Sequence, residues 1–496
     1  MENIILSLQT VATFEVMMVI ILSAAYGMLV GCIPGLSATM ATALLVPITF
    51  YLSPVAAVAS IISASAMAIF SGDIPGTLLR IPGTPASAAY MEEANAFTRR
   101  GEPETALGTG LWFSALGGIF GTVILVLVAP LLASIALQFS SYEYFWLGCL
   151  GLLCATLVSS GSHIKSFAAL MFGLLVSTVG MNNAAGVPRF TFGSYELYSG
   201  IDVVSALVGV FAVAEVMRAM TAPATPPAPR RKFGSILGKQ WELTRRYKKQ
   251  MLRGNVMGVL IGALPGAGAD MAAWVAYATS KRFSRTPEKF GTGHSEGLIE
   301  ASSANNAALA GGWVPSLLFG IPGDTITAIA IGVLYMKGLN PGPTLFTENA
   351  ASLYSLYWVF LIANIIMIPL GLLMIRSTTY VLRVPRWTIM STVLLCSAVG
   401  AYAVSNSLFS IVAVAAFGAI GYALDKYGYS VAAFVLGLVM GPMVEQNLVT
   451  SLIKSGGDVT PFFTRPMSAV LAFLTIAALL APSLIRLVSH RRRVAV

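Results

Sequence analysis

From Val16 to Gly72 the chain carries no Asp, Glu, Lys or Arg, and the same holds from Thr105 to Tyr142 and from Trp387 to Leu424. A helix that crosses a bilayer needs about 20 apolar residues, so each stretch holds two or more crossings. Over the 496 residues only 10% are charged and 56% are apolar, where a soluble domain carries about 25% charged residues. Too few charges remain to cover a water-soluble globule of this length, which excludes a soluble enzyme. The fold class is an all-α polytopic membrane protein. Apolar runs place crossings at 12–33, 55–71, 107–136, 143–161, 164–181, 200–220, 256–280, 305–334, 352–375, 387–404, 407–424, 429–446 and 467–488, about 12–14 transmembrane helices in all. Segments 34–53, 72–90, 262–275 and 320–340 are apolar but interrupted by Pro and Gly, and read as hairpins or as broken, re-entrant helices.

The net charge of +9 is concentrated. Residues 221–254 contribute +8 and the C-terminal Arg486, Arg491, Arg492 and Arg493 contribute +4, so the rest of the chain sums to −3. Lys and Arg gather in cytoplasmic loops, which places the central segment and the C-terminus in the cytoplasm. The basic charge is thus topological and does not point to nucleic acid. The first 15 residues hold Glu2 and Glu15 and no basic residue, which argues against a signal peptide and puts the N-terminus on the other side. Cys32, Cys149, Cys154 and Cys396 all lie in apolar runs without metal-ligand spacing, and read as inert thiols.

A Pro-rich run from Thr221 to Pro229 opens the basic segment near the middle of the chain. Its flanks repeat each other. Gly27-Met-Leu-Val-Gly31-Cys-Ile-Pro34-Gly35 aligns with Gly258-Val-Leu-Ile-Gly262-Ala-Leu-Pro265-Gly266 at an offset of 231, and Arg80-Ile-Pro82-Gly83 aligns with Gly320-Ile-Pro322-Gly323 at 240. The chain therefore divides into a first membrane repeat (1–220), a basic Pro-rich cytoplasmic linker (221–254) and a second membrane repeat with C-terminal helices (255–496). With the N-terminus outside and the linker inside, the two repeats are inverted, the arrangement of secondary transporters whose sites lie at the bilayer midplane.

GxxPG occurs at Gly31–Gly35, Gly72–Gly76 and Gly262–Gly266. Proline removes a backbone donor and glycine permits positive φ, so the motif breaks a helix. Unwound backbone survives at membrane depth only where it is buried or lines a watery cavity, and a helix that restarts there aims free N–H groups into it. The candidate anion-binding residues are Pro34, Gly35, Leu36 and Ser37 in one half and Pro265, Gly266, Ala267 and Gly268 in the other. Asn305 and Asn306, adjacent amides in a charge-free run, add ligands for a carboxylate or for Na⁺. Carboxylates within a membrane are functional candidates. Asp73, Asp270 and Asp324 each abut a Pro-Gly break and are candidates for carrying a coupling cation or proton, against a plain helix-capping role. Arg80 and Lys337 read as interfacial side chains, and His163, His294 and His490 as loop residues. No HExxH or Walker motif is present, and no enzyme activity, organic cofactor or metal beyond Na⁺ is expected. An intramembrane protease would need Asp73 and Asp270 to act together.

At these residues the chain resembles the large membrane subunit of the tripartite tricarboxylate transporters. The pieces are Gly31-Cys-Ile-Pro-Gly-Leu-Ser-Ala-Thr-Met40, Ile81-Pro-Gly-Thr-Pro-Ala-Ser-Ala88, Ala304-Asn-Asn-Ala307, Phe319-Gly-Ile-Pro-Gly323 and Gly338-Leu-Asn-Pro-Gly-Pro343. The resemblance implies a bacterial inner-membrane secondary transporter. It would work beside a small four-helix membrane subunit and a periplasmic binding protein that delivers a small organic acid, taken up with Na⁺ or H⁺. The alternative is an uncoupled carrier or channel for small anions without those partners. Two positions depart from the family's habit. Asp324 stands where serine is common, and Ser71-Gly72-Asp73 where Gly-Gly-Ser is common. Two carboxylates there repel a polyanion unless protonated or cation-bound, which leaves open a less charged substrate than citrate, or proton coupling.

Overall fold

Proline and glycine set where the helices stop. The computed structural model describes residues 2–158, 162–181, 186–221, 234–382 and 385–494; residues 222–233 of the Pro-rich linker lie outside them. Helices α1 (Glu2–Val11) and α2 (Phe14–Cys32) lead to the first break, after which come α3 (Ala38–Thr49), α4 (Pro54–Ser71), α5 (Asp73–Leu79), α6 (Met91–Arg99), α7 (Pro103–Ala136), α8 (Ser141–Val158) and α9 (His163–Ser177). A small ladder pairs β1 (Gly180–Met181) with β2 (Pro188–Arg189). Helix α10 (Val203–Val208) passes through a π turn into α11 (Ala214–Thr221), and α12 (Gln240–Arg246) lies within the linker. The second half continues with α13 (Lys248–Gly262), α14 (Gly268–Phe283), α15 (Ser295–Phe319), α16 (Thr325–Met336), α17 (Leu345–Glu348) and α18 (Ala350–Val381). The last helices are α19 (Arg386–Ser405), α20 (Leu408–Lys426), α21 (Val431–Lys454), α22 (Pro461–Thr464) and α23 (Pro466–Val494).

Eight helical stretches among the described residues are long and apolar enough to cross a membrane: α2, Pro54–Leu79, α7, Val203–Thr221, Ala350–Thr378, Trp387–Ser405, α20 and α21. Four shorter apolar helices, α3, α9, α16 and Pro466–Leu480, stand beside them, against the expected count of about 12–14 crossings. The 164–181 crossing shortens to the 15 residues of α9. The 256–280 and 305–334 crossings are each split by a break, and α8 is described only to Val158. The charge-free stretch Thr105–Tyr142 holds one 34-residue helix, α7, and the start of α8, where two crossings were expected.

The GxxPG at Gly72–Gly76 interrupts the helix without turning the chain, unlike those at Gly31–Gly35 and Gly262–Gly266. Gly72 stays right-handed (φ −62°, ψ −16°) between α4 and α5, and its N–H reaches the Ala68 carbonyl. Pro75 falls in the first turn of α5, where a backbone N–H has no intrahelical partner to lose. The chain turns instead at Arg80, whose φ of 59° matches the 65° of Gly320 at the equivalent place after α15.

Two helix pairs form the centre. Helices α2 and α4 run parallel: the Ser53 N–H meets Glu15 at their starts, and Gly27 and Gly31 lie on the backbone of Ala64 and Ala68. Helices α13 and α15 also run parallel, through Gln250–Glu296, the bidentate Arg253–Glu300 pair, and Gly258 and Gly262 on Ala304 and Ala308. The glycines repeat at 231 and their partners at 240, the two offsets of the sequence motifs. Helix α7 runs alongside α15 (Gly117 on Ser303, Gly121 on Ala307) and opposite to α18 (Gly118 on Asn364, Leu111 on Gly371). Helix α18 in turn runs along α1 and α2, from Ser355 on Ser7 to Thr378 on Cys32. The α2–α4 pair therefore points opposite to the α13–α15 pair. Helix α4 is buried from Val55 to Ser71 and α15 from Glu296 to Leu318, as expected of central helices apolar all round.

Candidate functional site

Three helices begin beside one another. Gly35 (φ 88°) turns the chain after α2, and the Ser37 side chain accepts from the Met40 N–H to cap α3. Gly266 (φ 81°) turns it after α13, donates its N–H to the Gly323 carbonyl at 2.7 Å, and α14 starts at Gly268 (φ 57°). Asp324 caps α16: its Oδ1 accepts from the Thr327 N–H and hydroxyl, both at 2.8 Å, and its own N–H donates to Thr327 Oγ1. The first half holds the counterpart at the same offset of 240. Thr84 Oγ1 accepts from the Ser87 N–H, and the Thr84 N–H donates to Ser87 Oγ. The halves then cross. Thr39 at the start of α3 meets Thr325 at the start of α16, hydroxyl to hydroxyl at 2.9 Å. Asp270 in the first turn of α14 accepts from the Ala86 N–H at 3.1 Å.

These crossed contacts wall a cavity of 380 Å³, within the range of small-molecule sites. Its second wall comes from Ala155, Val210 and Phe211, from Glu215 and Arg218 of α11, from Asp425 of α20, and from Ser430, Val431 and Ala432. The cavity thus reaches the end of α11, from which the chain enters the basic linker. Helix starts leave unsatisfied N–H groups and a partial positive charge, so the cavity offers an anion backbone donors and hydroxyls while presenting carboxylates of its own.

Of the candidate residues, Ser37, Gly266, Ala267, Gly268, Asn305, Asp270 and Asp324 line the cavity. Pro34, Gly35, Leu36 and Pro265 do not: they form the turns that aim the helix starts, and Leu36 is buried in the core. Asn306 faces the other way, its Nδ2 toward Met367 Sδ. Asp73 stays off the cavity wall. It is 5% exposed, and its Oδ1 accepts the Tyr90 hydroxyl at 2.6 Å. That hydroxyl accepts from Asn305 Nδ2 at 3.3 Å, so a buried chain runs from Asp73 through Tyr90 to the cavity-lining amide. The three aspartates do not converge, and Asp73 and Asp270 do not form a protease pair. Arg80 is spent on an exposed ion pair with Glu92, and Lys337 donates to the Phe50 carbonyl.

Thr39 and Thr84, which the motif segments contain, line the cavity too. Other cavity residues escaped the sequence reading, among them Trp274, whose Nε1 donates to the Pro85 carbonyl. Arg218 stands between Glu215 (2.9 Å) and Asp425 (3.1 Å) at the cavity edge. The signal was there: Glu-x-x-Arg inside the apolar run 200–220. Among the described residues no group of three or more His, Cys, Asp or Glu comes together to hold a metal.

No solved structure matches the chain. A protein of Agrobacterium vitis, called the uncharacterized 52.8 kDa protein in TAR-I ttuC' 3'region, is 34% identical over 469 residues, covering 94% of this chain and 93% of that protein. A second from the same organism, the uncharacterized protein in TAR-II ttuC' 3'region, is 32% identical over 237 residues, 48% of this chain and 98% of that protein. Residues 17–436 match the tripartite tricarboxylate transporter TctA family. By that span and that likeness, the chain is a membrane transporter component and belongs to the tripartite tricarboxylate transporter TctA family.

Proposed function

We propose that this protein carries a small organic carboxylate inward across the bacterial inner membrane, driven by a Na⁺ or H⁺ gradient. A periplasmic binding protein delivers the acid, and a small four-helix membrane subunit completes the tripartite system. The linker and C-terminus face the cytoplasm, where their basic charge belongs. The two halves act as inverted repeats, a reading supported by the opposed α2–α4 and α13–α15 pairs and by glycine contacts repeating at the motif offsets. The observation that carries the proposal is the cavity between crossed half-sites, where the starts of α3 and α14 and the amide of Asn305 meet. In this role Ser37, Gly266, Ala267, Gly268 and Asn305 bind the acid, while Pro34, Gly35, Leu36 and Pro265 hold the helix starts in place. The coupling ion falls to the aspartates.

Uptake of radiolabelled acid into proteoliposomes that hold both membrane subunits, with the binding protein added, tests the proposal. At normal expression, Asn305→Ala is expected to impair gradient-driven accumulation at low acid concentration, and the double change Pro265→Ala with Gly266→Ala to abolish it. Wild-type accumulation in both would refute the site. Equilibration without accumulation in the unmodified protein would turn the reading to an uncoupled carrier.

A further inference from the structure

The crossed half-sites are built alike but carry different chemistry. Removing the offset of 231 from Asp270 gives Thr39, and removing 240 from Asp324 gives Thr84. The backbone roles agree: Thr84 pairs reciprocally with Ser87 as Asp324 does with Thr327, and Thr39 and Asp270 each make the cross-contact to the other half. At both equivalent positions the first half presents a hydroxyl and the second a carboxylate. Arg218, the single basic side chain on the cavity wall among the described residues, is already shared by Glu215 and Asp425. Neither Asp270 nor Asp324 has an ion-pair partner among them. A free polyanion would meet two carboxylates that backbone and hydroxyl donors touch but no basic side chain among the described residues neutralises. A second feature points to a positive ligand. Asn305, 1% exposed and on the cavity wall, has no hydrogen-bond partner for its Oδ1 among the described residues. Carboxylate, amide and hydroxyl oxygens are the ligand set of hard cations.

We propose that the cavity is divided, with the substrate carboxylate on the first-half side at Thr39, Thr84 and the start of α3, and a hard metal cation on the second-half side. Asp270 and Asp324 hold that cation, Asn305 Oδ1 lies within its reach, and the ion travels with the acid. This rests on the transporter reading above and deepens it: the substrate is a carboxylate bound only together with a metal ion. The ion comes either from the gradient, as Na⁺, or bound to the acid, as Mg²⁺ or Ca²⁺.

Trp274 lies one turn after Asp270 and lines the same cavity, so its fluorescence reports the site. The full chain in detergent is titrated with NaCl, MgCl₂ and CaCl₂ against choline chloride at constant ionic strength, with and without citrate, and Trp274→Phe identifies the signal. At least one metal ion is expected to give a saturable change that choline does not. Asp270→Thr and Asp324→Thr, which copy the first-half residues, are expected to weaken it at least about tenfold. Thr39→Val is expected to weaken the citrate effect while leaving metal affinity unchanged, which separates a lost ligand from a lost fold. A response to Na⁺ assigns the gradient ion, and a response to Mg²⁺ or Ca²⁺ that strengthens with citrate assigns a metal–acid complex; either supports the divided cavity. No saturable response to any metal, or equal affinity in wild type and both aspartate variants, would overturn it. Intact metal binding without any uptake of acid would instead defeat the transporter reading and leave the cation half-site standing.

Discussion

A Cβ placed on Gly262 would stand 2.8 Å from Ala308 Cα, and one on Gly258 2.9 Å from Ala304 Cα; in the first half the values are 2.7 Å for Gly27 on Ala64 and 2.8 Å for Gly31 on Ala68. Carbon atoms in contact prefer about 3.5–4.0 Å, so alanine at any of the four forces its helix away from its partner by about 0.6 Å or more. A gap of that size forfeits a quarter to a half of each lost contact's well along the seam. Overpacking of this kind costs about 1–3 kcal/mol. Gly332 in α16 supplies the control, because its nearest neighbours would lie at 3.6 and 3.8 Å. Alanine there meets ordinary contact and gains up to about 1 kcal/mol of helix propensity. The apparent melting temperature of the detergent-solubilised protein reads both. Gly27→Ala, Gly31→Ala, Gly258→Ala and Gly262→Ala should lower it by comparable amounts, and Gly332→Ala should leave it unchanged or raise it. A Gly262→Ala protein that melts at or above wild type, or halves that respond with opposite sign, would refute the packing argument.

Tyr90→Phe strips the Asp73 carboxylate of its hydroxyl donor in a buried site, a loss of about 1–3 kcal/mol; melting should fall, and adding Asp73→Asn should recover part of it in a double-mutant cycle. Arg253→Gln leaves Glu300, whose side chain is fully buried, without its countercharge and should cost about 3–5 kcal/mol, read as loss of monodisperse protein. Glu300→Gln in the same chain should restore yield. Asn305→Ala should weaken the acid's apparent affinity about tenfold, from one lost hydrogen bond to a charged group, measured as KM for uptake.

The sequence made the helix breaks at Gly35 and Gly266 legible, because a proline that cannot donate and a glycine free to take positive φ are local causes. The GxxPG at Gly72–Gly76 misled for an equally local reason: whether a proline turns the chain depends on its place in the helix, and Pro75 falls in the first turn of α5. The turn at Arg80 was hidden because a left-handed arginine carries no sequence mark; only its alignment with Gly320 points to it. Candidate residues lay next to the site without lining it, since Pro34, Gly35 and Pro265 shape the backbone that presents Ser37 and Gly268. Which side of α15 faces the cavity was also unreadable in a helix buried all round, so adjacent Asn305 and Asn306 looked equivalent. The Glu215–Arg218–Asp425 cluster joins α11 to α20 across some 200 residues of sequence, a juxtaposition that hydropathy does not encode.

The central claim, that the acid passes through the cavity between the half-sites, is tested most directly by substrate protection. Ala432 lines the cavity wall opposite the helix starts, and Ser199 lies outside it in an exposed loop. With Cys149, Cys154 and Cys396 replaced by serine and Cys32 left in the core, single cysteines at Ala432→Cys and Ser199→Cys are labelled with a maleimide. A transported acid, supplied with its coupling ion, should slow labelling at 432 and leave 199 unchanged. Equal labelling rates at 432 with and without an acid that the same preparation demonstrably accumulates would place the pathway elsewhere and contradict the account.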